Sequence, residues 1–109
     1  MKEKKDLEEL QIYEQNLQSL LLQKQLFQAE LNEVEKAFEE LNKLKEDSAF
    51  KIIGGIMIKK NVDELKKELN ERKDLLELRI KNLEKQEKIF KSKIDEIREE
   101  ILKNLKKNE

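Results

Sequence analysis

Residues 49–60 read AFKIIGGIMIKK, an insert of β-branched, aromatic and glycine residues between two long runs dominated by Lys, Glu and Leu. Its centre, Gly54-Gly55, suits a two-residue hairpin loop, because such loops need positive φ and glycine adopts it without steric cost. The pattern predicts strands over 49–53 and 56–60, with Ile53 opposite Ile56, Ile52 opposite Met57, Lys51 opposite Ile58 and Phe50 opposite Lys59. One face then carries Ala49, Lys51, Ile53, Ile56 and Ile58, and the other carries Phe50, Ile52, Met57 and Lys59. Both faces are mostly apolar, both edges present unpaired backbone groups, and a lone hairpin of this kind is marginal in water. Flanking helices that end where the ribbon begins are not expected to cover it. Hairpins from several chains pairing into a shared sheet or β-barrel would satisfy faces and edges together, since a barrel has no edges. The expected oligomerisation residues are Phe50, Lys51, Ile52, Ile53, Gly54, Gly55, Ile56, Met57 and Ile58. The competing expectation, a tip folded back on its own helices, does not require the apolar run IIGGIMI.

Upstream of the insert, Leu10, Tyr13, Leu17, Leu20, Lys24, Phe27, Leu31, Val34, Phe38 and Leu41 follow one another at alternating steps of three and four. Only Lys24 interrupts this apolar heptad seam, the pattern that keeps one stripe of a helix against a partner helix. A helix is predicted over about 5–47, on the order of 60 Å long at ~1.5 Å per residue, with Asp6 and Glu9 as a capping box. Downstream, Asn61 is a candidate N-cap with Glu64 three residues on, opening a helix over about 62–107. Val62, Leu65 and Leu69 begin its seam, which resumes at Leu76, Ile80, Leu83, Glu87, Phe90, Ile94, Ile97 and Ile101. Successive four-residue steps from Arg72 to Leu76 and on to Ile80 read as a stutter.

The two seams match each other in reverse. Leu10 with Ile97, Leu17 with Phe90, Phe27 with Ile80 and Leu31 with Leu76 keep one constant residue-number sum, and the fold-back point that it implies lies beside Gly54 and Gly55. The fold class is therefore mainly α, a long antiparallel two-helix coiled coil joined by a central β-hairpin, with residues 1–109 forming one domain. The same register sets Lys24 opposite Leu83 and one layer from Glu87. Either these two form a polar layer that fixes register, or both snorkel to solvent past the open sides of a two-helix seam, the reading that the open sides favour.

Composition narrows the function. The 109-residue chain is 45% charged with a formal net charge of −1, which fits the composition of long helices and coiled coils. Interleaved charge of both signs argues against nucleic acid, whose phosphates demand a basic face. The run IIGGIMI is far short of the ~20 residues needed to span a bilayer, no signal peptide precedes the first charges, and no membrane role is expected. With no Cys there is no disulfide framework, so a cytoplasmic location is expected. With no His or Cys the usual zinc sites and nucleophile–base pairs are excluded, and Ser19, Ser48 and Ser92 have no base to activate them. Adjacent carboxylates such as Glu8–Glu9, Glu39–Glu40 and Glu99–Glu100 diverge around a helix, and the Gly pair lacks the context of a phosphate-binding loop. No enzymatic activity and no cofactor are expected.

The segments LQSLLLQKQLFQAELNEVEKAFEEL, FKIIGGIMIKK and LLELRIKNLEKQEKIFKSKIDEI, in this order, resemble the beta subunit of prefoldin in its archaeal form, across roughly residues 10–102. Matching positions include Gln23, Lys24, Gln25, Leu31, Asn32, Glu33, Lys51, Gly54, Leu83, Gln86 and Glu87. The single hairpin fits the beta type. The resemblance implies a hexamer of two alpha and four beta chains with a β-barrel body and six coiled-coil tentacles. It also implies that the assembly holds unfolded polypeptide clients without ATP and hands them to a group II chaperonin. The chain departs from the family pattern in starting almost at the first helix and in ending in NLKKNE with little tail.

In such a fold both chain ends lie at the coiled-coil end away from the hairpin, where the seam frays. Leu7, Ile12, Leu102 and Leu105 are the expected client-binding residues, while Leu10, Ile97 and Ile101 mostly complete the seam. A second reading of the same architecture is a structural coiled-coil adaptor or tether that oligomerises through its hairpin and binds one specific folded partner.

Overall fold

The computed structural model describes residues 2–107. Helix α1 (Lys2–Lys43) is followed by strands β1 (Ser48–Ile53) and β2 (Ile56–Asn61) and by helix α2 (Val62–Lys107). The strands form a two-stranded antiparallel sheet. The chain divides into two compact units. One comprises the residues through Leu26 together with those from Ile80 onward, and the other comprises Phe27–Arg79.

In the first unit, Leu20, Leu83 and Ile94 are buried, as is Ile80, and Leu10, Tyr13, Leu17, Phe90, Ile97 and Ile101 are half-buried. The Tyr13 and Phe90 rings lie 6.1 Å apart at a tilt of 56°, within the range where the aromatic quadrupoles attract. Arg98 donates to Glu14 at 2.9 Å, and Lys2 donates to Glu100 at 3.1 Å, so the start of α1 runs beside the end of α2.

In the second unit, Leu31, Val34, Val62, Leu65 and Leu76 are buried, and Phe27, Phe38, Leu41 and Leu69 are half-buried. The Arg79 guanidinium sits 5.6 Å from the Phe27 ring centroid, a cation–π distance. At Arg72, where the four-residue steps of α2 begin, the guanidinium is hydrogen-bonded to Glu30, its Nε at 2.8 Å.

Three expectations need correction. First, α1 stops at Lys43 rather than about 47. The Leu44 amide donates to the Leu41 carbonyl at 3.2 Å, a tightened final turn, and the chain then bends at residues 46–47 before the Asp47 carbonyl accepts from the Val62 amide at 2.8 Å. A helix reaching Asp47 would deny the ribbon that closing bond. Second, Asp6 lies inside α1, which begins at Lys2 instead of about 5, so no capping box forms there and Glu3 supplies the acidic side chain of the first turn. Third, Lys24 and Glu87 do not part toward solvent. Lys24 Nζ donates to Glu87 Oε1 at 3.1 Å and Lys91 Nζ to its Oε2 at 2.9 Å, and the Glu87 side chain is only 16% exposed. Hydrogen bonds from Lys91, then Lys24, hold this carboxyl below its ordinary range. A lysine long enough to reach water reaches a carboxylate in its path first.

Leu76 is the one fully buried large side chain among the described residues, at 0% exposure, whereas Leu78 on the same helix is 56% exposed. Leu76→Ala is expected to cost about 2–5 kcal/mol through lost transfer energy and the cavity left behind. Leu78→Ala should stay within ~0.5 kcal/mol. Denaturant titration of the two variants beside the parent chain checks the contrast.

Candidate functional site

The hairpin is the first candidate site, and its geometry starts at the turn. Gly54 and Gly55 have φ of +55° and +80°, the paired positive angles of a type I′ turn. A Cβ on either would meet nothing within 4 Å, so glycine is required there by the backbone angle and not by crowding. From this turn the ladder pairs Ile53 with Ile56, Ile52 with Met57, Lys51 with Ile58 and Phe50 with Lys59. It continues through Ala49 with Lys60 to Ser48 with Asn61, one pair beyond the expected strand ends. Asn61 then changes role, its Oδ1 accepting from the Asp63 amide at 2.8 Å to cap α2.

The faces of the ribbon differ. Phe50, Ile52 and Met57 are exposed together with Lys59, Ile52 reaching 70%. On the opposite face Ile53, Ile56 and Ile58 are exposed toward the turn, but Ala49, Lys51 and Lys60 at the foot are half-buried. The helices were not expected to cover the ribbon at all, and α2 does tie down this foot. Lys51 Nζ donates to Glu68 Oε2 at 2.7 Å and Lys60 Nζ to Glu68 Oε1 at 2.8 Å, so one carboxylate bridges both strands to the helix. Sequence reasoning missed this clasp, although Lys51 and Lys60 fall on one face of the predicted ribbon and Glu68 lies one turn past the seam residue Leu65. It also missed the groove at the foot of the hairpin, about 820 Å³ in volume, because Leu44 and Leu75 belong to no heptad position.

The second candidate site is the pair of chain ends in the other unit. Leu7, Ile12, Leu102 and Leu105 are each between 54% and 58% exposed, while Leu10, Ile97 and Ile101 are half-buried. Leu22, Leu26 and Ile89, which sequence reading did not single out, are as exposed as these four. The chain-end residues differ in position, lying at the start of α1 and the end of α2, where Lys2 also reaches Glu100. Among the described residues no group of His, Cys, Asp or Glu is placed to hold a metal ion, and no helix is long and apolar enough to cross a membrane.

The hydrogen bond from Lys51, then that from Lys60, lowers the Glu68 carboxyl from 4.5 to about 2, and the same contact raises Lys60 above 10.5. Folding therefore favours the ionised carboxylate. Its contribution to stability is complete above pH about 4.5 and disappears as the pH falls through about 2, while that of Lys60 is lost only as the pH rises through its raised value. A site-resolved carboxyl NMR titration is expected to place the Glu68 midpoint near 2, and K51M with K60M should return it toward 4.5. A midpoint near 4.5 in the parent chain would disprove the clasp.

Comparison with known proteins agrees with this architecture. The profile of the prefoldin subunit family matches residues 4–108. A prefoldin subunit beta from Pyrobaculum islandicum is 47% identical over 90 residues, 82% of this chain and 72% of that protein. One from Caldivirga maquilingensis is 40% identical over 97 residues, 88% of this chain and 80% of the relative. The crystal structure of the prefoldin beta subunit from Thermococcus strain KS-1 superposes with a TM-score of 0.88 at 35% identity, covering 95% of this chain and 92% of that one. A glycine-turned ribbon between two long seam-bearing helices, matched in sequence and fold along nearly its whole length, places this chain in the prefoldin family of chaperones as a beta subunit.

Proposed function

We propose that the chain works as an ATP-independent holdase, assembling through its hairpin with alpha and further beta subunits into an alpha-two, beta-four hexamer in the cytoplasm. The assembly captures unfolded polypeptide on the exposed leucines and isoleucine of the chain ends and passes it to a group II chaperonin. The observation that carries this reading is the ribbon itself. Phe50, Ile52, Ile56 and Met57 stand exposed beside two unpaired strand edges, a surface that calls for other strands.

The chain ends suit a grip that must release. Each apolar side chain that a client covers contributes about 1.5–3 kcal/mol, and the cost of association and of ordering the client, about 4–15 kcal/mol, consumes most of what four such residues supply, so one subunit binds weakly. Several subunits around one client gain by effective concentration without any new kind of contact. Leu7, Ile12, Leu102 and Leu105 take this role, and the half-buried Leu10, Ile97 and Ile101 hold the helices together beneath them.

Native mass measurement of the chain with an alpha subunit is expected to give the hexamer, and deleting residues 1–8 and 101–109 should leave that mass pattern intact. The truncated assembly is expected to lose most of its ability to suppress aggregation of an unrelated denatured protein. Undiminished suppression would remove the chain ends from the mechanism, and protection of only one folded partner would favour a tether.

A further inference from the structure

We infer that the groove at the foot of the hairpin is the seat for the hairpin of a second copy of this chain. The inference rests on the assembly proposed above and names the surface through which two beta subunits meet.

The groove, about 820 Å³, falls within the ~300–1,000 Å³ typical of concave binding sites. Leu41, Leu44, Leu65, Leu69 and Leu75 line it, with Phe50 as a further wall. Leu44, Leu75 and Phe50 are exposed, so an apolar hollow stands open to water. Phe50 also belongs to the exposed ribbon face, on which Ile52 and Met57 oppose each other directly and form a paired apolar projection. Groove and ribbon face are therefore one continuous surface, concave at the helices and convex on the strands. A surface of that kind is complementary to itself: two copies related by a twofold axis seat each other's ribbon simultaneously, and neither leaves a groove unfilled.

Charge selects the same occupant. Glu40 and Glu71 stand on the rim of the groove, Glu71 without an ion pair among the described residues and Glu40 in a solvent-exposed pair with Lys43 at 3.5 Å, while Glu68 is engaged by the two lysines and Arg72 by Glu30. The face that bears Ile52 and Met57 ends in Lys59, which makes no ion pair among the described residues. A partner's ribbon lowered into the groove brings this lysine to an acidic rim. An unfolded client segment has the apolar content to enter but no lysine fixed at that distance from it.

The chain has no cysteine, so single-cysteine variants report cleanly, and a disulfide requires Cα atoms within about 7 Å. In the fully assembled complex, a mixture of L44C and M57C subunits is expected to yield a covalent mixed dimer on mild oxidation, and a mixture of L78C and M57C is not. Absence of the mixed dimer from particles of normal mass, or equal yield from both mixtures, would overturn the seat while leaving assembly through the hairpin intact. A chain that stays monomeric with every subunit supplied would overturn both. K59E is expected to weaken assembly a few-fold, the scale of an exposed ion pair, and E40K with E71K in the same chain to restore it; a loss without rescue overturns the seat. Protection of the thiol in the L44C variant from alkylation by added unfolded client, and not by assembly, would assign the groove to clients instead.

Discussion

Two consecutive positive φ angles, at Gly54 and Gly55, constrain everything that follows from the hairpin. A turn of this hand matches the twist of the strands that leave it, so the ladder runs in a single register from Ile53–Ile56 down to Ser48–Asn61. At its foot the Asp47 carbonyl meets the Val62 amide, and Asn61 turns from a strand residue into a helix cap. A slip of one residue at the turn would carry every side chain to the opposite face. Lys51 would leave Glu68 and Phe50 would leave the groove. A Cβ at either position would meet no atom within 4 Å; the demand is on backbone conformation.

The clasp at Glu68 answers a different problem. A two-stranded ribbon twists and swings easily, and apolar packing at its foot would leave its angle to α2 loosely defined. A carboxylate whose two oxygens accept from lysines on different strands imposes direction on both strands at once. An ion pair this exposed is a weak source of stability, and orientation is what it supplies. The same division appears at Glu87, where lysines from two helices meet one carboxylate beneath a seam of leucine and isoleucine. Apolar residues hold the helices together, and these charged groups define how neighbouring elements face each other.

How much of this was legible from sequence depends on how local the cause is. The ribbon and its register followed from two glycines and the strand residues around them, and the helices from an apolar period of about 3.5. The seam positions follow from the same period, and none of them is exposed. The end of α1 was not legible, because Lys45, Glu46 and Asp47 are compatible with helix; what stops the helix at Lys43 is a backbone bond to a residue beyond the hairpin. Asp6 has the chemistry of a cap, yet a cross-helix partner for Lys2 favours starting the helix earlier. The clasp and the groove each require three elements to converge, so no single stretch of chain carries their signal. Nothing in the structure explains why Leu22 and Leu26 stand exposed on α1.

The three lysines of the ribbon carry the last step. A strand pair with bare edges and apolar faces is an aggregation hazard, and lysine near such edges is a common guard against indiscriminate pairing. Here Lys51 and Lys60 turn inward to Glu68, which leaves Lys59 as the ribbon's unpaired charge among the described residues. A free lysine beside Ile52 and Met57 penalises burial of that face against any surface that cannot answer the charge, since desolvating an unpaired ammonium is costly. An acidic rim around an apolar hollow removes the penalty and a plain apolar patch does not, so one side chain both discourages promiscuous pairing and favours the cognate one. The proposed holdase role would sharpen that need, because a subunit that gripped exposed apolar segments of other proteins would carry an assembly surface of the same chemical kind as its cargo.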